Sequence, residues 1–164
     1  GSCQVWFRGL GNVLKIKDAD SSEFSKTTNS VVGLMTEWIK GDIKITRNID
    51  SDKGGTMRLG SYPCNLTKGS LVNKIYQAEN INERHRHRYE VNSNYINLFN
   101  KNNFEFTGMS PDNLLPEILE SKNHYWFIGV QFHPELKSRP QNPHPLFVSF
   151  IKSAIELKKW KKLK

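Results

Sequence analysis

Histidine and glutamate flank a proline in Gln131-Phe132-His133-Pro134-Glu135, directly after the apolar run 125–130. A histidine whose second ring nitrogen bonds a carboxylate is held in one tautomer, and its charged form is stabilised. That is what a general base needs in order to activate a nucleophile. Pro134 fixes the backbone between the two, so a rigid turn aims both side chains at one place. Taken alone, the tripeptide also reads as an ordinary surface turn.

Arg84-His85-Arg86-His87-Arg88 is the second chemically loaded stretch. On an extended backbone its three arginines fall on one face and its two histidines on the other. Guanidinium groups match carboxylate or phosphate with paired hydrogen bonds. The stretch equally reads as a solvated basic edge strand. Nucleic-acid binding calls for interleaved aromatic platforms, and only Tyr89 is near. A zinc site from His85 and His87 has no supporting cysteine pair. Gly54-Gly55-Thr56-Met57-Arg58-Leu59-Gly60 lacks the Gly-Lys-Ser/Thr end of a phosphate-binding loop, and reads as a glycine-permitted bend leading into a strand.

The elements that must position these groups follow from periodicity. Apolar residues at helical spacing predict a helix over Val5–Ile16, weakened by Gly9 and Gly11. The polar residues 17–30 read as a long loop. Short buried or alternating strands are expected over 31–35, 40–47 and 56–66, with a turn at 52–55. Ser70 caps a helix reaching Ala78. An extended segment covers 84–91 and a helix 93–101. Short strands are expected at 104–108 and 117–119. The clearest strand signal is 125–132, and the clearest helix is 144–160, where Leu146, Phe147, Phe150, Ile151, Ala154 and Ile155 form one stripe. Strands mixed with helices, ending in strand–loop–helix, predict an α/β domain. Functional groups of such sheets gather beyond the carboxyl ends of the strands, where His133 falls.

The chain has 164 residues and a net charge of +8, a size that suits a single domain able to bury its own core. The charge permits anionic partners, although the cations that end the chain, 158–164, read as a solvated helix end suited to the helix dipole. The sequence contains no apolar run of about eighteen residues and no signal-peptide pattern at its start. Cys3 and Cys64 show no metal-ligand spacing, so free thiols in a reducing cytoplasm are expected.

DADSSEF at 18–24, Thr36-Glu37-Trp38, GGTMRLG at 54–60, ERHRHRYEVN at 83–92 and GVQFHPELKSRP at 129–140 resemble, in this order, the C-terminal glutaminase domain of CTP synthase. The resemblance runs over about 12–155, within one partial amidotransferase domain at 1–164 whose basic helix end occupies 156–164. It implies an α/β, flavodoxin-like class I glutamine amidotransferase fold with a mixed central sheet, its front strands missing. The implied chemistry is a Cys–His–Glu triad that hydrolyses glutamine to ammonia, which a separate synthase domain uses with ATP to convert UTP to CTP. His133 matches the family's catalytic histidine and Glu135 its orienting glutamate. Glu23 and Arg88 match residues that bind the glutamine ammonium and carboxylate. No cofactor or metal is implied for this chain; ATP and magnesium belong to the synthase domain. The implied partners are glutamine, the synthase domain and further copies in a homo-oligomer, with neither nucleic acid nor membrane.

The family writes Gly-Ile-Cys-Leu-Gly-Met-Gln around its nucleophile. Counting back without gaps from Glu23 puts that cysteine just before residue 1, and Cys3 falls where the family has a glutamine-binding Gln. Assigning Cys3 as nucleophile requires a two-residue deletion, which turns the following helix by about 200 degrees. The glycine-rich oxyanion segment has no counterpart. The chain is therefore expected not to hydrolyse glutamine by itself. The alternatives are a non-catalytic amidotransferase remnant and, from another class, a basic nucleic-acid-binding module.

Overall fold

The structure, a computed structural model, describes residues 19–21, 29–33 and 57–162. Among these, eight strands form two sheets. The smaller contains β1 (Ala19–Ser21), β2 (Asn29–Gly33) and β5 (Glu90–Val91), with β1 and β2 parallel and β5 antiparallel to β2. The larger is antiparallel throughout, in the order β4-β3-β6-β7-β8. Its strands are β3 (Arg58–Leu66), β4 (Asn80–His87), β6 (Phe104–Met109), β7 (Pro116–Ser121) and β8 (Ile128–Val130). Three α-helices accompany them: α1 (Leu71–Tyr76), α2 (Ile96–Lys101) and α3 (Pro145–Lys162).

Each element has a local cause. Ser70 caps α1 through Asn73 N–H, and the Glu120 carboxylate accepts from Leu71 and Val72 N–H at 3.1 and 2.9 Å, which satisfies the helix's first donors. Gln77, in the left-handed region at φ 53°, ends the helix. β7 is buried on both faces: Leu119 joins the cluster of Val31, Val91, Phe99 and Phe104, while Ile118 joins that of Cys64, Leu66, Val72 and Phe132. One strand thus serves two cores, as its run of consecutive buried residues requires.

Gly108 of β6 lies against Ile118. A Cβ added there would stand 2.6 Å from Ile118 Cγ1, so Gly108→Ala must displace a fully buried side chain. It is expected to destabilise the chain by about 1–3 kcal/mol, read as a lower urea midpoint at unchanged slope.

Several expectations are corrected. The loop expected over 17–30 contains β1 and the start of β2. The segment 125–132 is a strand only at Ile128–Val130; Tyr125 is 58% exposed. Its aromatic residues belong to a turn, where Trp126 donates its indole N–H to Ser149 Oγ at 2.8 Å and packs on Phe150 of α3. Of the α3 stripe, Leu146 is buried, whereas Phe147, Phe150, Ile151 and Ile155 are exposed. Of the apolar members expected over 56–66, Leu66 is buried, whereas Met57 and Leu59 are exposed, and Arg58 between these two is buried. The helix expected at 5–16, the strand at 40–47 and the turn at 52–55 lie outside the described residues.

Candidate active site

The larger sheet curls until the chain leaving β8 reaches β4. Gln131 donates its backbone N–H to Glu117 O of β7 at 2.9 Å, and two residues later His133 N–H donates to Arg84 O of β4 at 2.8 Å. The Gln131 side chain anchors this crossing, donating from Nε2 to Pro116 O at 2.7 Å and Glu90 Oε2 at 3.2 Å. Phe132 is sunk in the core beneath. Pro134 then starts a 3-10 turn (Pro134–Leu136), and the turn is closed onto β4 by Lys137, whose Nζ donates to Asn82 O at 2.7 Å and Glu83 Oε1 at 3.1 Å. The turn is therefore held to β4 on both sides of Glu135.

Within it, His133 Nδ1 lies 2.7 Å from Glu135 Oε1. A carboxylate facing Nδ1 places the proton there and leaves Nε2 with its lone pair. The His133 side chain is 16% exposed and that of Glu135 56%, so the imidazole is sheltered and the carboxylate meets solvent.

Arg88 is exposed at the point where the chain passes from β4 to β5. It follows His87, whose ring centroid is 6.4 Å from that of His133. Arg84 and Arg86 are exposed with it, while His85 is buried and His87 partly buried. The two faces expected for this strand exist, but the histidine face belongs to the interior. Cys3 and Glu23 lie outside the described residues. Cys64 is a free, buried thiol pushed up to about 12 by burial and then by the charge of Glu117, which leaves negligible thiolate at neutral pH.

Beneath the site is an ion cluster. Arg58 Nη1 stands 2.6 Å from Glu117 Oε1 and 3.4 Å from Glu90 Oε1, and its guanidinium covers the Tyr62 ring at 4.6 Å. Gly60, at φ +104°, permits the backbone geometry between Arg58 and Tyr62 that few other residues adopt. A second hub is the buried Glu83, whose Oε1 accepts from Tyr76 Oη and from Lys137 and lies 3.1 Å from His144 Nε2. Leu146 N–H donates to His144 Nδ1, so the His144 proton is on Nε2, aimed at Glu83. Among the described residues no group of three His, Cys, Asp or Glu side chains is arranged to hold a metal ion.

Residues 4–153 match the family described as "Glutamine amidotransferase class-I". The chain belongs to the class I glutamine amidotransferases. It is 59% identical over 145 residues to a CTP synthase of Hyphomonas neptunium and 58% identical over 147 residues to one of Caulobacter vibrioides, covering 88% and 90% of this chain. The chain spans 27% of the length of each. Among solved structures, the Trypanosoma brucei CTPS glutaminase domain with bound acivicin superposes with a TM-score of 0.77 at 33% identity, over 93% of this chain and 57% of that one. The α/β class I amidotransferase fold expected from the motifs is the fold of this family. Among the described residues no helix is long and apolar enough to cross a membrane.

Proposed function

We propose that this chain supplies the general base and its orienting carboxylate to the glutaminase reaction of a CTP synthase, with His133 as base and Glu135 as orienter. The 2.7 Å contact between His133 Nδ1 and Glu135 Oε1 carries the reading. In the reaction, His133 Nε2 takes the proton of a cysteine thiol. The thiolate attacks the side-chain carbonyl carbon of glutamine, and the resulting tetrahedral oxyanion collapses to a thioester as the C–N bond breaks. The imidazolium returns its proton to the departing nitrogen, giving ammonia. A water, deprotonated by His133, then attacks the thioester, releasing glutamate and the thiol. Arg88 pairs with the substrate carboxylate and Glu23 with its ammonium. The ammonia passes to a synthase domain, where ATP and magnesium support amination of UTP.

Cys64 is sealed, so Cys3 is the remaining thiol of this chain, and the gapless count aligns it with a substrate-binding Gln. The purified chain is expected to release no ammonia from glutamine by itself. Acivicin labelling followed by mass spectrometry checks this: a label on Cys3 together with ammonia release would make Cys3 the nucleophile. The decisive test of His133 and Glu135 uses this chain with its synthase domain and compares two nitrogen sources. His133→Asn is expected to abolish glutamine-dependent CTP formation while sparing ammonia-dependent CTP formation, and Glu135→Gln to weaken the former alone, since it leaves the base but loosens its tautomer. Equal loss from both nitrogen sources would sink the reading.

A further inference from the structure

β4 turns Glu83, His85 and His87 to its inner face, and the two histidines hydrogen-bond to each other. His85 Nδ1 lies 2.8 Å from His87 Nε2, and His87 Nδ1 lies 3.1 Å from the backbone oxygen of Tyr89. A carbonyl oxygen only accepts, so His87 carries a proton on Nδ1. In a neutral ring Nε2 is then a lone pair, and the proton of the shared hydrogen bond comes from His85 Nδ1. The His87 ring lies beside that of His133, 6.4 Å between centroids and tilted by 37°.

We propose that His85 and His87 form a neutral imidazole chain locked in one pair of tautomers, and that His87, as its last member, is a positioning residue that holds the His133 ring. The proposal rests on the reading of His133 as the general base. The opposite arrangement makes His87 a cation that donates from both nitrogens, with His85 turning its Nε2–H towards Glu117. His85 Nε2 is 3.7 Å from Glu117 Oε2, beyond hydrogen-bond length, so that arrangement gains no bond there.

Charge points the same way. The groups facing the pair are Arg58, Glu90 and Glu117 from the ion cluster, Tyr62 of β3, whose ring meets that of His85 edge-on, and His133 from the turn. Burial, and next the Arg58 charge, hold His85 down to about 2 and His87 to about 4. His133 must become an imidazolium in each turnover, and a second cation beside it would oppose that step. A neutral but hydrogen-bonded ring can fix the orientation of His133 without competing for its proton. An apolar ring of the same shape could fill the space but would have nothing to fix its own rotation.

Long-range proton–nitrogen NMR of the imidazoles in this chain tests the lock. At about pH 7, both His85 and His87 are expected to carry their single proton on Nδ1 and to remain neutral down to about pH 5. A proton on Nε2 of either ring, or protonation near the ordinary histidine range, overturns the proposal. The variants test positioning. His85→Leu and His87→Phe remove the hydrogen bond and are expected to double or broaden the His133 ring signals. His85→Asn keeps a donor near the Nδ1 position and is expected to restore a single set. One sharp set in all three variants overturns the positioning role. The Trp126 indole N–H, bonded to Ser149 far from the pair in sequence, reports that the fold is retained. If a variant loses that signal, the tautomers of the unaltered chain still decide the lock. Neither arm requires turnover. A single His133 conformer, together with equal loss of CTP formation from glutamine and from ammonia in His133→Asn with the synthase domain present, would sink the glutaminase reading and leave this one standing, and a loose His133 with loss from glutamine alone would do the reverse.

Discussion

Acidifying this chain from about pH 7 to about pH 4 is expected to remove on the order of 6 kcal/mol of stability, nearly all of it through His85 and His87. Both are held neutral in the fold, at about 2 and about 4, chiefly because burial disfavours their charged forms. In the unfolded chain they titrate near 6.5. Above that pH neither state binds the protons and the two contribute no pH dependence. Below it the unfolded state gains a proton on each ring while the folded state does not, so unfolding is favoured. The loss therefore begins near 6.5, proceeds at about 2.7 kcal/mol per pH unit for two protons, and loses the His87 share once that ring titrates in the fold. Glu83 adds a loss further down: against its burial, the contacts with His144 and Lys137 lower its pKa, so its contribution is present above the ordinary carboxylate range and lost as pH falls through the folded value.

Small domains have about 5–15 kcal/mol in total, so this loss by itself unfolds a domain at the low end of that range near about pH 4. Urea unfolding at a series of pH values checks it. The stability-against-pH slope should correspond to nearly two protons near about pH 5, and to nearly one there in His85→Asn. A flat profile from about pH 6.5 to 4.5 would show that the pair already carries its charge in the fold.

The His133–Glu135 turn was legible because its geometry is local. His133, Pro134 and Glu135 are adjacent, and the one constraint a proline adds is enough to predict that their side chains meet. The two faces of 84–88 were legible for the same reason, since period-two alternation is a property of the backbone. What could not be read was which face is inside. Three arginines and two histidines look solvated from either side, and the burial of the histidine face depends on Arg58, Glu90 and Glu117, which arrive from three separate strands. Extending the same alternation back by two residues would have put Glu83 on the inner face, and that signal was available. β3 shows the difficulty most clearly. Leu59, and Met57 just before the strand, are exposed while its arginine is buried, because two buried carboxylates outweigh hydropathy there. The run 125–132 misled for another reason: its aromatic residues suit a strand, but Tyr125 and Trp126 find their partners on α3, so a turn forms where periodicity predicts pairing.

Arg58→Met is the substitution expected to do most damage without opening a cavity. Methionine fills a similar space and is at home in a core, so lost packing is a small part of the effect. The damage is electrostatic. Arg58 is 6% exposed and sets one cation against Glu117 at 2.6 Å and Glu90 at 3.4 Å, both almost wholly buried. Removing it leaves two carboxylates facing each other in a site whose low polarity cannot screen them. Breaking a buried ion pair from one side typically costs about 3–5 kcal/mol. The penalty belongs to the two buried carboxylates and not to the missing arginine. Arg58→Met combined with Glu90→Gln and Glu117→Gln should then recover most of the loss, since the triple variant buries no net charge, and Gln at position 90 still accepts from Gln131. The measurement is urea unfolding of the single, the double carboxamide and the triple variants, read as a thermodynamic cycle. A triple variant no more stable than Arg58→Met would mean that the guanidinium acts through shape, by bridging β3 to β7 and covering Tyr62, and would remove charge balance as the reason an arginine lies inside this sheet.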